Sequence, residues 1–363
     1  MKYVYKKRMY KAIVCIIDSV GFFLAGIFKI FSGKPVFGTG KILIIRVDHI
    51  GDVVMATSVI APLRRAFPSA KIDFIAPSWA RELLSQDPHI NNVTIFDAPW
   101  FLRCKAGFIN GVKGFFAMTK MIRRGGYDLV IDLRGDARHI AAAFLSGAKT
   151  RISYGITGLG FLLTEEVPYD EKCHEIDKNL ALLGPLGVSC VNASSKLYFS
   201  KENALAAENI KKKMRIDNPY VVLHVTAGRP EKNWTSDGFS GLVDYIGVKK
   251  GLMPVIIGGN EDTVYIKGVM EKTSQKVIDL SGKFKISELT AFLEGASLFV
   301  GLDSGPSHIA AAVGVPSVIL FSGANDPLQW APRGGNVRVV CPGKGKGLDE
   351  VGLGEVVGVI DKV

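Results

Sequence analysis

Cysteine is scarce in this 363-residue chain: Cys15, Cys104, Cys173, Cys190 and Cys341, with no two spaced as Cys-x-x-Cys. That excludes a disulfide framework and a thiolate zinc cage, fits a reducing compartment, and reads most of the five as buried thiols. No Asp-x-Asp and no cluster of His with Cys occurs, so no metal site and no cofactor is expected. The adjacent Cys173 and His174 are too few to hold an ion. The dinucleotide fingerprint is missing as well: Gly38 and Gly40 precede the first apolar strand instead of following it, which counts against a dehydrogenase. No basic stripe is interleaved with aromatics, so the net charge of +11 does not point to nucleic acid.

Acidic residues are nearly absent from one place. Residues 1–37 hold Lys2, Lys6, Lys7, Arg8, Lys11, Lys29 and Lys34 against Asp18 alone, which concentrates +6 of the charge there. The run from Ala12 to Phe31, AIVCIIDSVGFFLAGIFKIF, is also greasy. It has the length of a membrane span, about 20 residues. Asp18 and Lys29 interrupt it, however, and Lys11, Asp18, Ala25 and Lys29 fall on one helical stripe. No small-x-small cleavage site follows. Three readings stay open: an amphipathic helix in the interface with its lysines on anionic headgroups, a spanning anchor, and a helix docked on the protein's own surface. The first is preferred, and it predicts a peripheral protein on a membrane surface.

From Lys41 the pattern changes. KILIIRV, KIDFIA (71–76), NVTIFD (92–97), YDLVIDL (127–133) and TRISYG (150–155) read as short buried strands, with helical stretches over 107–124 and 136–146. Residues 185–218 interrupt the rhythm, and it restarts with YVVLHV (220–225), MPVIIGG (253–259), KVIDL, SLFVGL and PSVILFS. Strands alternating with helices imply parallel sheets covered on both faces. The expectation is an α/β chain of two Rossmann-like, doubly wound domains facing across a cleft. The segments are 1–37, a basic and hydrophobic extension; 41–195; a linker region, 196–218; 219–345; and a C-terminal helix, 346–363.

Ligands in such folds bind at the turns that follow strands. Four turns are rich in chemistry. In Asp48-His49-Ile50-Gly51-Asp52, Asp52 either caps the next helix or offers a carboxylate as a general base, with His49 beside it on the acceptor side. In His224 to Trp234, HVTAGRPEKNW, small residues admit an anion while Thr226, Arg229 and Lys232 supply donors and charge. Trp234 either packs under that loop or faces the ligand. Gly258-Gly259-Asn260-Glu261 offers Glu261 as a helix-start acid or as a holder of a ribose diol. In Gly301 to Ala312, GLDSGPSHIAAA, a helix begins at Ser304-Gly305, and its free N–H groups suit phosphate. Asp303 suits sugar hydroxyls better, and His308 is either a buried core histidine or a donor-side ligand. After the fourth strand, Arg134, Asp136 and Arg138 form a surface ion-pair cluster or read acidic groups of an acceptor.

Taken together, ILIIRVDHIGD, DLRGDAR, HVTAGRPEKNW and GLDSGPSHIAAAVGVPSVILF, in this order from about Lys41 to about Arg333, resemble glycosyltransferase family 9, the ADP-heptose:lipopolysaccharide heptosyltransferases. The resemblance implies a GT-B fold with an acceptor-binding first domain, a nucleotide-sugar-binding second domain, and an inverting, metal-independent transfer. It implies Asp52 as general base, Lys232 near the donor diphosphate and Thr226 on phosphate. It further implies Glu261 on the ribose, Asp303 on the donor sugar, and Ser304 and Gly305 along the phosphates. The partners it implies are a nucleotide sugar, ADP-heptose first, and a lipopolysaccharide or other lipid-linked glycan at the cytoplasmic face of a bacterial inner membrane. The runner-up is another nucleotide sugar or envelope glycan. From a different class, a non-catalytic membrane-bound nucleotide-sugar binder stays open. The greasy N-terminus is an addition to the family pattern.

Overall fold

The computed structural model describes residues 3–4, 7–29, 40–101, 107–216 and 219–363, with the backbone alone for 26–29. Lys2, Lys6, Cys104 and all of 30–37 lie outside the described residues. The chain divides into two compact units, Met1–Ala193 and Ser194–Val363.

The first unit runs α1 (Arg8–Lys29), β1 (Lys41–Ile45), α2 (Ile50–Ala56), α3 (Ile60–Ala66), β2 (Lys71–Ala76), α4 (Arg81–Leu84), β3 (Asn92–Ile95), α5 (Phe108–Gly125), β4 (Leu129–Asp132), α6 (Ala137–Leu145), β5 (Thr150–Ser153), β6 (Glu165–Glu166) and α7 (Glu175–Ala181). Its six strands pair in parallel in the order β3-β2-β1-β4-β5-β6. A strand covered on both faces needs apolar side chains at every position, not every second one. β1 meets that demand: Ile42 and Ile44 enter one core cluster, and Leu43 and Ile45 enter the other, on the face covered by α5 and α6.

The second unit runs α8 (Lys201–Met214), β7 (Tyr220–His224), α9 (Ser236–Tyr245), β8 (Met253–Ile257), α10 (Thr263–Met270), β9 (Ile278–Asp279), α11 (Ile286–Glu294), β10 (Leu298–Leu302), α12 (Gly305–Ala312), β11 (Ser317–Leu320), α13 (Pro327–Trp330), β12 (Val337–Val340) and α14 (Leu353–Ile360). Its strands are parallel in the order β12-β11-β10-β7-β8-β9. Both units are therefore doubly wound, as the α/β reading requires. Residues 196–218 contain α8, which a Ser200/Asn203 capping box starts and which packs on α11.

Two expectations change. None of the four described cysteines is buried: Cys15 is exposed, and Cys173, Cys190 and Cys341 are half-buried. Apolar neighbours in sequence did not make apolar surroundings in space. The N-terminal stripe turns inward, not outward. Lys11, Val14, Asp18, Gly21 and Ala25 form the side of α1 that meets the protein, seated on the turn Gly160–Leu162. Asp18 Oδ1 accepts from the Leu159 N–H (2.7 Å) and Oδ2 from the Tyr3 hydroxyl (2.8 Å). No helix among the described residues is long and apolar enough to cross a membrane.

Candidate active site

In each unit the strand order reverses beside the first strand, between β1 and β4 and between β7 and β10. Loops diverge at such a point, and the carboxyl ends of the two strands leave room for a ligand. Most of the candidate residues lie there, in each unit by itself.

In the first unit the chain leaves β1 through Arg46, which is 2% exposed. Its Nε donates to Asp48 Oδ1 (2.8 Å), and its Nη1 donates to the Leu133 carbonyl (3.0 Å). Nη1 and Nη2 share Glu175 Oε1 at 3.1 Å each, and Nη2 also donates to Asp52 Oδ1 at 2.8 Å. Arg134 pairs with the second oxygen of Asp48. Lys178 Nζ stands 3.5 Å from Glu175 Oε2. A buried charge costs several kcal/mol by about this order unless paired, so the guanidinium fork and its three carboxylates require one another.

Asp52 lies in the first turn of α2 but does not cap it; His49 occupies the cap position, and no side chain bonds there. The Asp52 side chain is 13% exposed, with Oδ2 3.4 Å from Nδ1 of the largely exposed His49 ring. Burial pushes the Asp52 carboxyl up, but Arg46 and the His49 hydrogen bond outweigh it and hold the group well below the usual carboxylate range. The same hydrogen bond raises His49, against the opposing effect of burial. The site thus presents an ionised carboxylate.

After β4 the chain turns through Gly135, whose φ is +75°. A Cβ there would fall 2.7 Å from the Tyr154 carbonyl oxygen, so the turn demands glycine. This turn sets Arg134 over the Phe101 ring (4.2 Å) and Arg138 over Trp100 (4.6 Å). Arg138 also bonds Asp136 through Nε (2.8 Å), and Asp136 caps α6. Burial raises the Asp136 carboxyl, but the Arg138 bond and neighbouring charges bring it down to about 2. His49, Asp52 and Arg134 therefore share one charged network, while Arg138 sits beside it in the ion pair.

In the second unit, β7 ends at His224, with buried Thr226 just beyond. His224 Nδ1 is 3.1 Å from Ser304 Oγ, and burial lowers this histidine to about 4. Asn233 Oδ1 accepts from the Ala227 N–H (2.8 Å) and closes the loop, whose base is Trp234, buried and donating to the Val351 carbonyl (2.9 Å). Lys232 Nζ reaches Asp303 Oδ2 at 2.6 Å, and Asn325 Nδ2 reaches the same oxygen at 2.6 Å. Ser304 is the N-cap residue of α12, and Gly305 opens the helix. His308 is buried one turn inside. Lys232, Asp303 and Ser304 are brought together with Thr226 at one switch point. Arg229 and Glu261 are exposed, Glu261 in the turn Asn260–Asp262 after β8, and no hydrogen bond or ion pair joins either to that group.

His174 caps α7 by accepting from the Ile176 N–H (3.1 Å). No group of three or more His, Cys, Asp or Glu among the described residues is arranged to hold a metal. Residues that sequence reasoning gave no role are Arg46, Asp48, Glu175, His224 and Asn325. Arg46 carried one signal, a cation closing an otherwise apolar strand. Glu175 carried none, since 129 residues separate it from Arg46.

The sequence profile of glycosyltransferase family 9 (heptosyltransferase) matches residues 115–351. Lipopolysaccharide heptosyltransferase 3 of Escherichia coli K12 is 31% identical over 305 residues, covering 79% of this chain and 83% of that protein. The chain belongs to glycosyltransferase family 9. A family 9 glycosyltransferase from Veillonella parvula superimposes with a TM-score of 0.81 at 23% identity, covering 91% of this chain and 99% of that one. The E. coli heptosyltransferase WaaC with ADP-2-deoxy-2-fluoro heptose superimposes with a TM-score of 0.70 at 18% identity, covering 89% and 99%. The fold is GT-B, and the enzyme is a glycosyltransferase of the lipopolysaccharide heptosyltransferase family.

Proposed function

We propose that this enzyme moves a heptose from ADP-heptose onto a lipopolysaccharide core at the cytoplasmic face of a bacterial inner membrane, with Asp52 as general base. The observation that carries the reading is the Asp52 carboxylate. It is ionised, held by Arg46 at 2.8 Å, and left partly open at the end of β1. An acceptor hydroxyl beside it gives up its proton to Asp52 as its oxygen attacks C1 of the heptose. The bond from C1 to the diphosphate oxygen breaks on the opposite face, and the anomeric centre inverts. A carboxylate of depressed basicity suits this step, because the attacking oxygen becomes strongly acidic as its bond to C1 forms.

On the leaving side, Lys232 and the N–H groups that open α12 offset the charge that grows on ADP. Asp303, now held by Lys232 and Asn325, supplies an acceptor for donor-sugar hydroxyls. Ser304, Gly305 and Thr226 serve the phosphates, Glu261 the ribose, and Arg229 and His308 the donor side more generally. His49, Arg134 and Arg138 serve the acceptor, where guanidinium groups suit phosphate or acidic sugars. The support for ADP-heptose is the match to heptosyltransferase 3 and to a structure holding an ADP-heptose analogue.

The test is incubation of the pure protein with ADP-heptose and truncated lipopolysaccharide, followed by product mass. One added heptose is expected. Asp52→Ala abolishes turnover and leaves donor affinity nearly intact; an equal loss of both would remove the base assignment.

A further inference from the structure

Helix α1 is built the wrong way round for a helix that packs on a core. Its contact side is Lys11, Val14, Asp18, Gly21 and Ala25, spaced three and four apart, and the only acid of the helix points inward to Leu159 and Tyr3. Gly21 lets the helix approach closely: a Cβ there would lie 2.3 Å from the Phe161 ring. Phe22 meets the same ring edge-on at 6.2 Å. The bulk of the apolar side chains face away. Phe23 is 71% exposed and Ile16 66%, and Met9, Ile13, Ile17 and Val20 join them.

A second helix repeats the arrangement. α5 buries Gly114, Met118 and Ile122 and exposes Phe108 (87%), Ile109, Val112 and Phe116, which share one helical face. α5 and α6 cover the same face of the sheet, and α6 also packs on the turn Gly160–Leu162 that seats α1. The helices that carry the two apolar stripes are thus linked through α6 and that turn. Both helices are basic. Lys7, Arg8, Lys113, Lys120, Arg123 and Arg124 are exposed on or beside these helices, and neither helix exposes a carboxylate. Exposed apolar stripes of this kind mark an interaction site, and cations on both helices with no exposed acid on either match an anionic lipid surface.

We propose that α1 and α5 together form a monotopic docking face for an anionic bilayer, in which the Asp18 seam fixes α1 to the catalytic unit and the outward residues of both helices enter the headgroup boundary. The inference deepens the membrane part of the proposed function: it names the residues that enter the lipid and adds α5, far from the basic N-terminus in sequence. A fixed seam makes the helix part of the enzyme's surface and not a tether, so the first unit meets the membrane in one orientation.

The experiment is flotation of the full-length protein with vesicles of phosphatidylcholine alone or with phosphatidylglycerol added, in the absence of donor and acceptor. The wild-type protein is expected to float with the anionic vesicles at least tenfold better than with neutral ones. Ile16→Glu with Phe23→Glu, and separately Phe108→Glu with Phe116→Glu, are expected to reduce flotation at least tenfold. Circular dichroism and the thermal midpoint of each variant confirm that it is folded. Undiminished flotation of the α5 variant overturns the shared face. Undiminished flotation of both overturns the proposal. Equal flotation on neutral vesicles overturns the anionic partner. A drop from dimer to monomer in light scattering when these residues become Glu, with no change in flotation, assigns the face to a second copy of the chain and also overturns it. Flotation needs no sugar, so vesicle binding without heptosyl transfer counts against the proposed activity alone, and transfer without vesicle binding counts against the docking face alone.

Discussion

Nη2 of Arg46 lies 2.8 Å from Oδ1 of Asp52, and the same guanidinium group holds Asp48 and Glu175. One buried cation therefore serves three carboxylates, one of which is the proposed base. Removing it leaves uncompensated charge in a buried place, so Arg46→Ala is expected to cost about 3–5 kcal/mol of stability. Arg46→Lys keeps the charge but not the fork and is expected to cost less. In the lysine variant the acid limb of the kcat/KM profile is expected to move upward, because Asp52 loses the Nη2 donor of the fork and a single ammonium cannot hold all three carboxylates as closely. A profile that does not move would show that Arg46 has no hold on the titrating group.

The Lys232–Asp303 pair, 2.6 Å apart, makes a second prediction. If the ammonium stabilises the leaving diphosphate, Lys232→Ala lowers kcat by about 10²–10³-fold, the range for loss of one preorganised donor. Asp303→Asn is expected to raise KM for the donor more than it lowers kcat. The two residues touch, so the double variant falls short of the product of the single effects. Steady-state kinetics with ADP-heptose on all four proteins checks this, and strict additivity would mean that the two do not act as a unit.

Much of this architecture was legible in the sequence for a simple reason. Strands such as Ile42–Ile45 and Val221–His224 are buried on both faces, and that burial prints an unbroken apolar run. Two of the four edge strands were not legible: β6 is two glutamates, and β12 is Val-Arg-Val-Val with two exposed residues. The other two edges, β3 and β9, lie in apolar runs, whereas β6 and β12 are too charged or too exposed to print one. At the site, Asp52, Lys232 and Asp303 were readable because each follows a strand. Glu175 was not, because its role comes from α7 packing beside α2, a relation that local pattern does not carry. The inward turn of Asp18 was hidden likewise. The stripe was visible in the sequence, but which side of it meets protein depends on the Leu159 N–H.

His224 sets a pH dependence whose sign follows from its burial. Burial lowers its folded-state value to about 4, whereas an unfolded histidine titrates near about 6.5. Between these values the unfolded chain binds the proton and the folded one does not. Stability is therefore full above pH about 6.5 and falls as the pH drops toward 4, by at most about 3 kcal/mol from this residue. His224→Asn keeps a polar partner for Ser304 and removes the titration. Chemical denaturation of the variant and the wild type from pH 7 to pH 4.5 is expected to show the difference in slope. Parallel slopes would mean that His224 is protonated in the folded protein.

Asp18 makes the last prediction. Its two oxygens accept from the Leu159 N–H at 2.7 Å and the Tyr3 hydroxyl at 2.8 Å. Leu159 holds φ +62°, the left-handed region, where a residue with a Cβ stays only when its surroundings hold it. The carboxylate is thus a support for the turn Gly160–Leu162 as well as the clasp of α1. Asp18→Ala leaves two donors without their acceptor, at about 1–3 kcal/mol. Asp18→Asn keeps one oxygen for the Leu159 N–H and is expected to recover part of the loss. Limited proteolysis should cut within residues 8–25 faster in the alanine variant, with the asparagine variant between it and the wild type. Cleavage at the wild-type rate in the alanine variant would show that the apolar contacts of Gly21 and Phe22 with Phe161 hold the helix without the carboxylate.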